Sequence, residues 1–138
     1  MDYALILSYG SIAWALGSEM GNVLPQLVLL YVVSRLGRAS ITDVSTLMYL
    51  LQKEGINVNY SFVKLSGTAT SKDIQLDLNL LKVLGLIREE DEGKYSVTEK
   101  GKMVVSKLLR NPSYKYVIKA IERILSNYGL QAVAHGQS

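Results

Sequence analysis

Amide, amine and hydroxyl side chains recur along residues 71–84 at a spacing that collects them on one side of a helix. At about 100° per residue, an arc of roughly 100° holds these polar residues and no acid. Its members are Ser71, Lys72, Gln75, Asn79 and Lys82. Glutamine and asparagine can form paired hydrogen bonds with adenine, and lysine reaches guanine acceptors or phosphates. The arc therefore suits contact with a nucleic acid, although such a stripe is also the ordinary solvated face of a helix.

The opposite side of the same helix is apolar. Its members are Ile74, Leu76, Leu78, Leu80, Leu81, Val83 and Leu84. Asp73 and Asp77 lie outside the polar arc. Because an amphipathic helix packs its apolar side on the core, we expect these leucines to be covered and the polar arc to stay exposed.

Basic residues outside the polar arc are candidates for holding phosphates. In the last helix, Lys115, Lys119 and Arg123 follow one another at i, i+4 and i+8. Like charges at this spacing repel each other, and a row of phosphates would relieve the repulsion. Ordinary solubilising charge explains the row equally well. The remaining predicted phosphate contacts are Arg38, Lys64 and Lys94.

Charge is distributed unevenly along the chain, whose net charge is +3. Residues 1–34 carry −2 and residues 35–88 carry +3. Residues 89–98 carry −3, and residues 99–138 carry +5. The basic excess in the second half favours a polyanionic partner. The acidic run Glu89–Glu92 would repel phosphate and argues in the other direction.

The residues that most enzymes need are scarce. The chain has no cysteine, which excludes disulfides, thiol catalysis and thiolate metal sites. Its single histidine, His135, is the fourth residue from the end of the sequence. No phosphate loop or nucleophile elbow is present. We therefore predict that the chain is not an enzyme and that it uses no cofactor, no metal and no small-molecule substrate.

Caps and glycines divide the chain into eight predicted elements in the order helix, helix, helix, strand, helix, hairpin, helix, helix. Ser40, Thr98 and Asn111 are predicted helix caps, and Thr70 or Ser71 is a further one. Val58–Val63 alternates weakly and predicts a short strand, whereas Gly67–Thr70 predicts a loop. The predicted helices are Tyr3–Glu19, Val23–Leu36, 41–54, 71–84, a helix after Thr98, and one from Pro112 to about Gly129.

Two stretches of this sequence resemble winged helix-turn-helix transcription regulators of bacteria and archaea. They are Leu80–Ile87, read as the end of a recognition helix, and Lys94–Lys102, read as the returning wing strand and the next helix. The resemblance implies a mainly α fold with a small β-wing, in which extra N- and C-terminal helices flank the winged-helix core. It also implies binding of double-stranded DNA. Residues 56–70 depart from the simple motif, and the insertion resembles that of some phage-associated winged-helix proteins.

This resemblance and the apolar start of the chain together predict three segments. Residues 1–22 form an apolar helix that dimerises, residues 23–110 form the winged-helix domain, and residues 111–138 form a C-terminal helix and tail. We expect a cytoplasmic homodimer that regulates transcription, with a composition that suits a thermophile, as in many archaea. Two alternatives remain: a protein-interaction module, favoured by the acidic run, and a membrane-associated regulator, favoured by the apolar residues 3–34.

Overall fold

The computed structural model describes residues 23–65 and 67–127. These residues form a mainly helical structure with a small antiparallel sheet, which confirms the predicted fold class at that level. The predicted helix Tyr3–Glu19, its role in dimerisation and the tail after Asn127 lie outside the described residues.

Five α-helices account for most of the described chain. Three of them begin at predicted caps: the Ser40 hydroxyl accepts from the Asp43 amide at 3.1 Å, the Ser71 hydroxyl from the Asp73 amide at 3.2 Å, and the Thr98 hydroxyl from the Gly101 amide at 3.1 Å. A single 3₁₀ turn, Pro112–Tyr114, precedes the last helix. The helices are α1 (Pro25–Leu36), α2 (Ile41–Lys53), α3 (Lys72–Val83), α4 (Glu99–Leu109) and α5 (Lys115–Asn127).

Five short strands in residues 23–65 and 67–127 form two sheets. The strands are β1 (Ala39–Ser40), β2 (Val63–Leu65), β3 (Thr68–Thr70), β4 (Ile87–Glu90) and β5 (Lys94–Val97). One sheet has the order β1-β5-β4, and the other pairs β2 with β3. All the pairings are antiparallel. Strand β1 thus ties the β4–β5 hairpin to the link between α1 and α2.

The core surrounds α1, which is buried on all sides from Leu27 to Val33. It packs against α2, α3, α4 and strand β5. Near its end, the Arg35 guanidinium and the Tyr31 hydroxyl both donate to Glu122 of α5, at 2.6–2.8 Å and 2.6 Å respectively. None of the helices in residues 23–65 and 67–127 combines the length and apolarity that crossing a bilayer requires.

The segment between α2 and α3 differs from the sequence prediction. The residues from Val58 to Phe62 form no strand, whereas the predicted loop at Gly67–Thr70 contains β3 and closes a β2–β3 hairpin. Val58 and Tyr60 are buried while Asn57 and Asn59 are exposed. The alternation therefore reflects an extended segment with one covered side, and a strand additionally needs a partner to which it can hydrogen-bond.

The turn from α3 into β4 follows the prediction. Gly85 has a φ of +78°, the left-handed conformation that glycine adopts without steric strain. The Thr98 hydroxyl donates to the Gly85 carbonyl at 2.6 Å, which fixes the start of α4 against this turn. As a result, α3 leads into the β4–β5 hairpin through a short, well-bonded connection.

Candidate nucleic-acid interface

Helix α3 exposes most of the polar row that the sequence predicts. Lys72, Gln75, Asn79 and Lys82 are all exposed, while Ile74, Leu78 and Leu81 on the opposite side are buried. The amides and ammonium groups therefore stand on an open surface. This is the condition on which direct contact with base edges depends.

Ser71 does not belong to this surface. Its side chain is 8% exposed, and its hydroxyl accepts from the Asp73 amide at 3.2 Å. It therefore serves as the N-cap of α3, a role that occupies its acceptor and turns it inward. The Ser71 side chain is thus less available to a ligand than the sequence prediction assumes.

The expectation that the apolar arc of α3 is fully covered is wrong. Leu76, Leu80 and Val83 are 65%, 43% and 70% exposed, respectively. They follow one another at i, i+4 and i+7, so they form an apolar row beside the polar one. Among the described residues, α3 packs mainly against α1, α2 and β4. The open face of α3 is therefore half polar and half apolar.

The two aspartates of α3 anchor the helix. Asp77 accepts from the Tyr60 hydroxyl at 2.6 Å and from the Gln26 side chain at 3.3 Å. Asp73 accepts from the Ser61 amide at 3.0 Å. Burial, together with the hydrogen bond to Asp77, raises the pKa of Tyr60 above its usual range. The acids of α3 are thus directed at the domain and not at the exposed polar row.

The acidic β4–β5 hairpin binds two of the predicted site residues. Lys82 donates to Glu89 at 2.8 Å, and Arg38 donates to Glu90 at 2.9 Å. The Ser96 hydroxyl also donates to Glu90, at 2.6 Å, and this bond followed by the Arg38 charge lowers the pKa of Glu90. These contacts partly neutralise the acids, but they also occupy the Lys82 ammonium and the Arg38 guanidinium.

Lys94, another predicted phosphate contact, begins strand β5 and is half-buried. In the sheet register it lies opposite Ser40 on one side and Glu90 on the other. Its side chain therefore shares a face with an acid. This position is less open to phosphate than the sequence prediction assumes.

The basic row of α5 divides into two parts. Arg123 donates to Glu54 at the end of α2, at 2.7 Å, so it bridges two helices. Lys115 and Lys119 are exposed and line a groove of about 440 Å³ between α4 and α5, together with Arg110. The sequence prediction missed Arg110, which joins the two lysines only through the turn between these helices.

Lys64 lies in a cluster that the sequence prediction did not identify. Its ammonium stands 5.0 Å from the centroid of the Tyr49 ring, and the Lys53 ammonium stands 5.8 Å from the same centroid. Phe62 packs edge-on against Tyr49 at 5.4 Å. A hydrogen bond with Lys64 lowers the pKa of the Tyr49 phenol. Tyr49 and Lys53 belong to α2, so only the folding of the β2–β3 hairpin onto α2 brings these residues together.

The described part of the chain offers no group of three or more His, Cys, Asp or Glu side chains placed to hold a metal ion. The predictions that the chain is not an enzyme and needs no cofactor stay predictions. No protein-family model, no curated protein and no solved structure matches this chain.

Proposed function

We propose that this chain is a winged helix-turn-helix protein that binds double-stranded DNA and regulates transcription in the cytoplasm as a homodimer. The order of elements supports the fold assignment. Helices α1, α2 and α3 are followed directly by the β4–β5 hairpin, and β1 pairs with β5. In this reading α3 is the recognition helix, β4–β5 is the wing, and α4 and α5 are additions.

The observation that carries the proposal is the exposed row of Lys72, Gln75 and Asn79 on α3. A single helix fits the major groove, and two amides can pair with adenine edges while the lysine reaches guanine or phosphate. Helix α3 is held at Asp73 and Asp77, so the row is presented on a fixed support. A rigid support reduces the loss of conformational freedom on binding.

Lys82 extends the row of Lys72, Gln75 and Asn79 when it exchanges its partner Glu89 for a group on the DNA. Its bond to Glu89 is an exposed ion pair, and such pairs are weak because water screens them. A phosphate or a guanine edge in the groove can therefore take the place of Glu89. The same reasoning applies to Arg38 and Glu90, whose pair is also open to solvent on the arginine side.

Selection of bound sequences from a random duplex library tests this proposal. Each amide that pairs bidentately with a base contributes about 1–3 kcal/mol of discrimination. The double change Gln75→Ala and Asn79→Ala should therefore remove the sequence preference of the wild type while leaving weaker, salt-sensitive binding. The control Asn127→Ala removes an exposed amide from the end of α5 and should leave the preference intact. An unchanged preference in the double variant would refute the assignment of α3.

The exposed apolar row favours a second candidate function, the docking of a protein partner. Leu76, Leu80 and Val83 have the i, i+4, i+7 spacing with which an amphipathic helix is recognised. The acidic run Glu89–Glu92, of which Glu89 accepts from Lys82 of the same helix, would repel DNA but not a basic peptide. Under this candidate, Leu76→Ser with Val83→Ser removes partner binding. Under the DNA proposal, the same change leaves the selected DNA sequence unaltered.

A further inference from the structure

We infer that the β2–β3 hairpin, together with the last turn of α2, is a phosphate-binding arm that holds the DNA backbone beside the N-terminus of α3. Lys53 and Lys64 are its phosphate ligands, grouped around the Tyr49 ring. This inference rests on the proposed function and specifies which surface receives the backbone. The β4–β5 hairpin is acidic and therefore unsuited to contact with phosphates. The β2–β3 hairpin makes this contact in its place.

The arm concentrates positive charge, and no ion pair joins Lys53 or Lys64 to an acid among the described residues. The Lys53 and Lys64 ammonium groups lie 5.8 Å and 5.0 Å from the centroid of one ring, and both lysines are exposed. Two like charges beside one ring repel each other, and a phosphate that contacts both lysines offsets this repulsion. The lowered pKa of the Tyr49 phenol agrees with the positive potential at this place.

The surrounding sequence keeps this potential positive. No acidic residue occurs from Gly55 to Lys72. The acids that border this segment are already engaged: Glu54 accepts from Arg123 at 2.7 Å, and Asp73 accepts from the Ser61 amide at 3.0 Å. At the C-terminal end of α3, Glu89 accepts from Lys82 at 2.8 Å, and the run Glu89–Glu92 contains four acidic residues. A polyanion approaching α3 is therefore drawn toward the β2–β3 side.

The arm is fixed relative to the recognition helix. Strand β3 ends at Thr70, and Ser71 caps α3 directly after it. The Gln52 side chain donates to the Tyr60 carbonyl at 3.0 Å and accepts from the Tyr60 amide at 3.1 Å, which fixes the extended segment before β2 against α2. The Tyr60 hydroxyl then bonds to Asp77 of α3 at 2.6 Å. Phosphates held by the arm would thus set the register of Lys72 and Gln75 in the groove.

The test is a salt titration of the full chain binding a short duplex of arbitrary sequence, followed by fluorescence anisotropy. Each phosphate contact contributes about 0.9 to the slope of log affinity against log salt. Lys53→Gln with Lys64→Gln should lower the slope by about 1.8 and the affinity at 0.1 M salt by about sixtyfold. Lys53→Arg with Lys64→Arg keeps both charges and should retain the slope.

A matched control separates local contact from loss of net charge. Lys102→Gln with Lys107→Gln removes two exposed charges from α4 and should change the slope far less. If Lys53→Gln with Lys64→Gln changes the salt slope no more than this control does while the wild type binds, the arm is refuted and the proposed function stands. If the wild type binds no duplex even at low salt, the proposed function falls and the arm falls with it. Circular dichroism of each variant verifies that the fold is retained.

Discussion

Replacing Glu89 with glutamine should tighten DNA binding. Glu89 holds the Lys82 ammonium at 2.8 Å and places a negative charge beside the exposed face of α3. In E89Q the lysine no longer has to give up this partner to reach a phosphate, so the free energy of the exposed ion pair, up to about 1 kcal/mol, is no longer lost on binding. Affinity at 0.1 M salt should therefore rise by up to about fivefold, with the salt slope almost unchanged.

The assay for E89Q is the anisotropy titration over a salt series, with E99Q as its matched control. Glu99 holds Lys102 at 3.1 Å within α4, so E99Q also removes one acid and releases one lysine. Charges farther than about 10 Å from the DNA are screened at 0.1 M salt, and we expect less than about a twofold change in E99Q. An E89Q affinity that is unchanged, or raised no more than that of E99Q, would refute the placement of DNA against α3.

Three further predictions concern the fold and its titrating groups. In Gly101→Ala, the new Cβ would overlap the Leu86 carbonyl oxygen and lie 2.6 Å from Val97 Cγ1. Urea unfolding should therefore show a free energy of unfolding that is lower by about 3 kcal/mol. The control Ser106→Ala, on the exposed side of α4, should leave this free energy almost unchanged. Burial and Glu122 raise the pKa of Tyr31 to about 12, so the stability that its neutral hydroxyl provides is lost as pH rises from about 10 through about 12. The Tm of the wild type should therefore exceed that of Y31F below pH 10, and the difference should disappear toward pH 12. A Tm difference that stays constant over this range contradicts the prediction. The Lys64 hydrogen bond lowers the pKa of Tyr49, so Lys64→Gln should raise that pKa in an ultraviolet titration, and an identical curve would show that the two groups do not interact.

Local sequence signals predicted the helices of the described residues well. Ser40, Thr98 and Asn111 cap the elements that follow them, and Gly85 has the positive φ that the turn after α3 requires. These features depend on bonds between residues close together in the chain. A short hydroxyl or amide side chain bonding to a nearby backbone amide is readable from sequence for this reason.

Each feature that the sequence prediction missed depends on contacts between residues far apart in the chain. Leu76, Leu80 and Val83 are as apolar as the buried Leu78, and only the positions of α1, α2 and β4 decide which side of α3 is covered. The alternation from Val58 to Val63 predicted a strand. The hydrogen-bonded pairing is instead between β2 and β3, and of the predicted strand only Val63 takes part in it. Helical periodicity reports amphipathicity and not the packing partner.

The prediction of the site also missed contacts between residues far apart in the chain. The bonds from Lys82 to Glu89, from Arg38 to Glu90 and from Arg123 to Glu54 join elements that only the fold brings together. A count of basic residues therefore overestimates the number of cations that are open to phosphate. The cluster of Tyr49, Lys53 and Lys64 was missed for the opposite reason, because its members meet only through the β2–β3 hairpin.

The central claim, that DNA lies against the polar row of α3, is tested most directly by nuclear magnetic resonance of the ¹⁵N-labelled chain titrated with a selected duplex. The side-chain amide signals of Gln75 and Asn79 should shift most, together with the backbone signals of Lys72–Val83. Shifts confined to the groove lined by Arg110, Lys115 and Lys119, or no shifts at low salt, would contradict the claim.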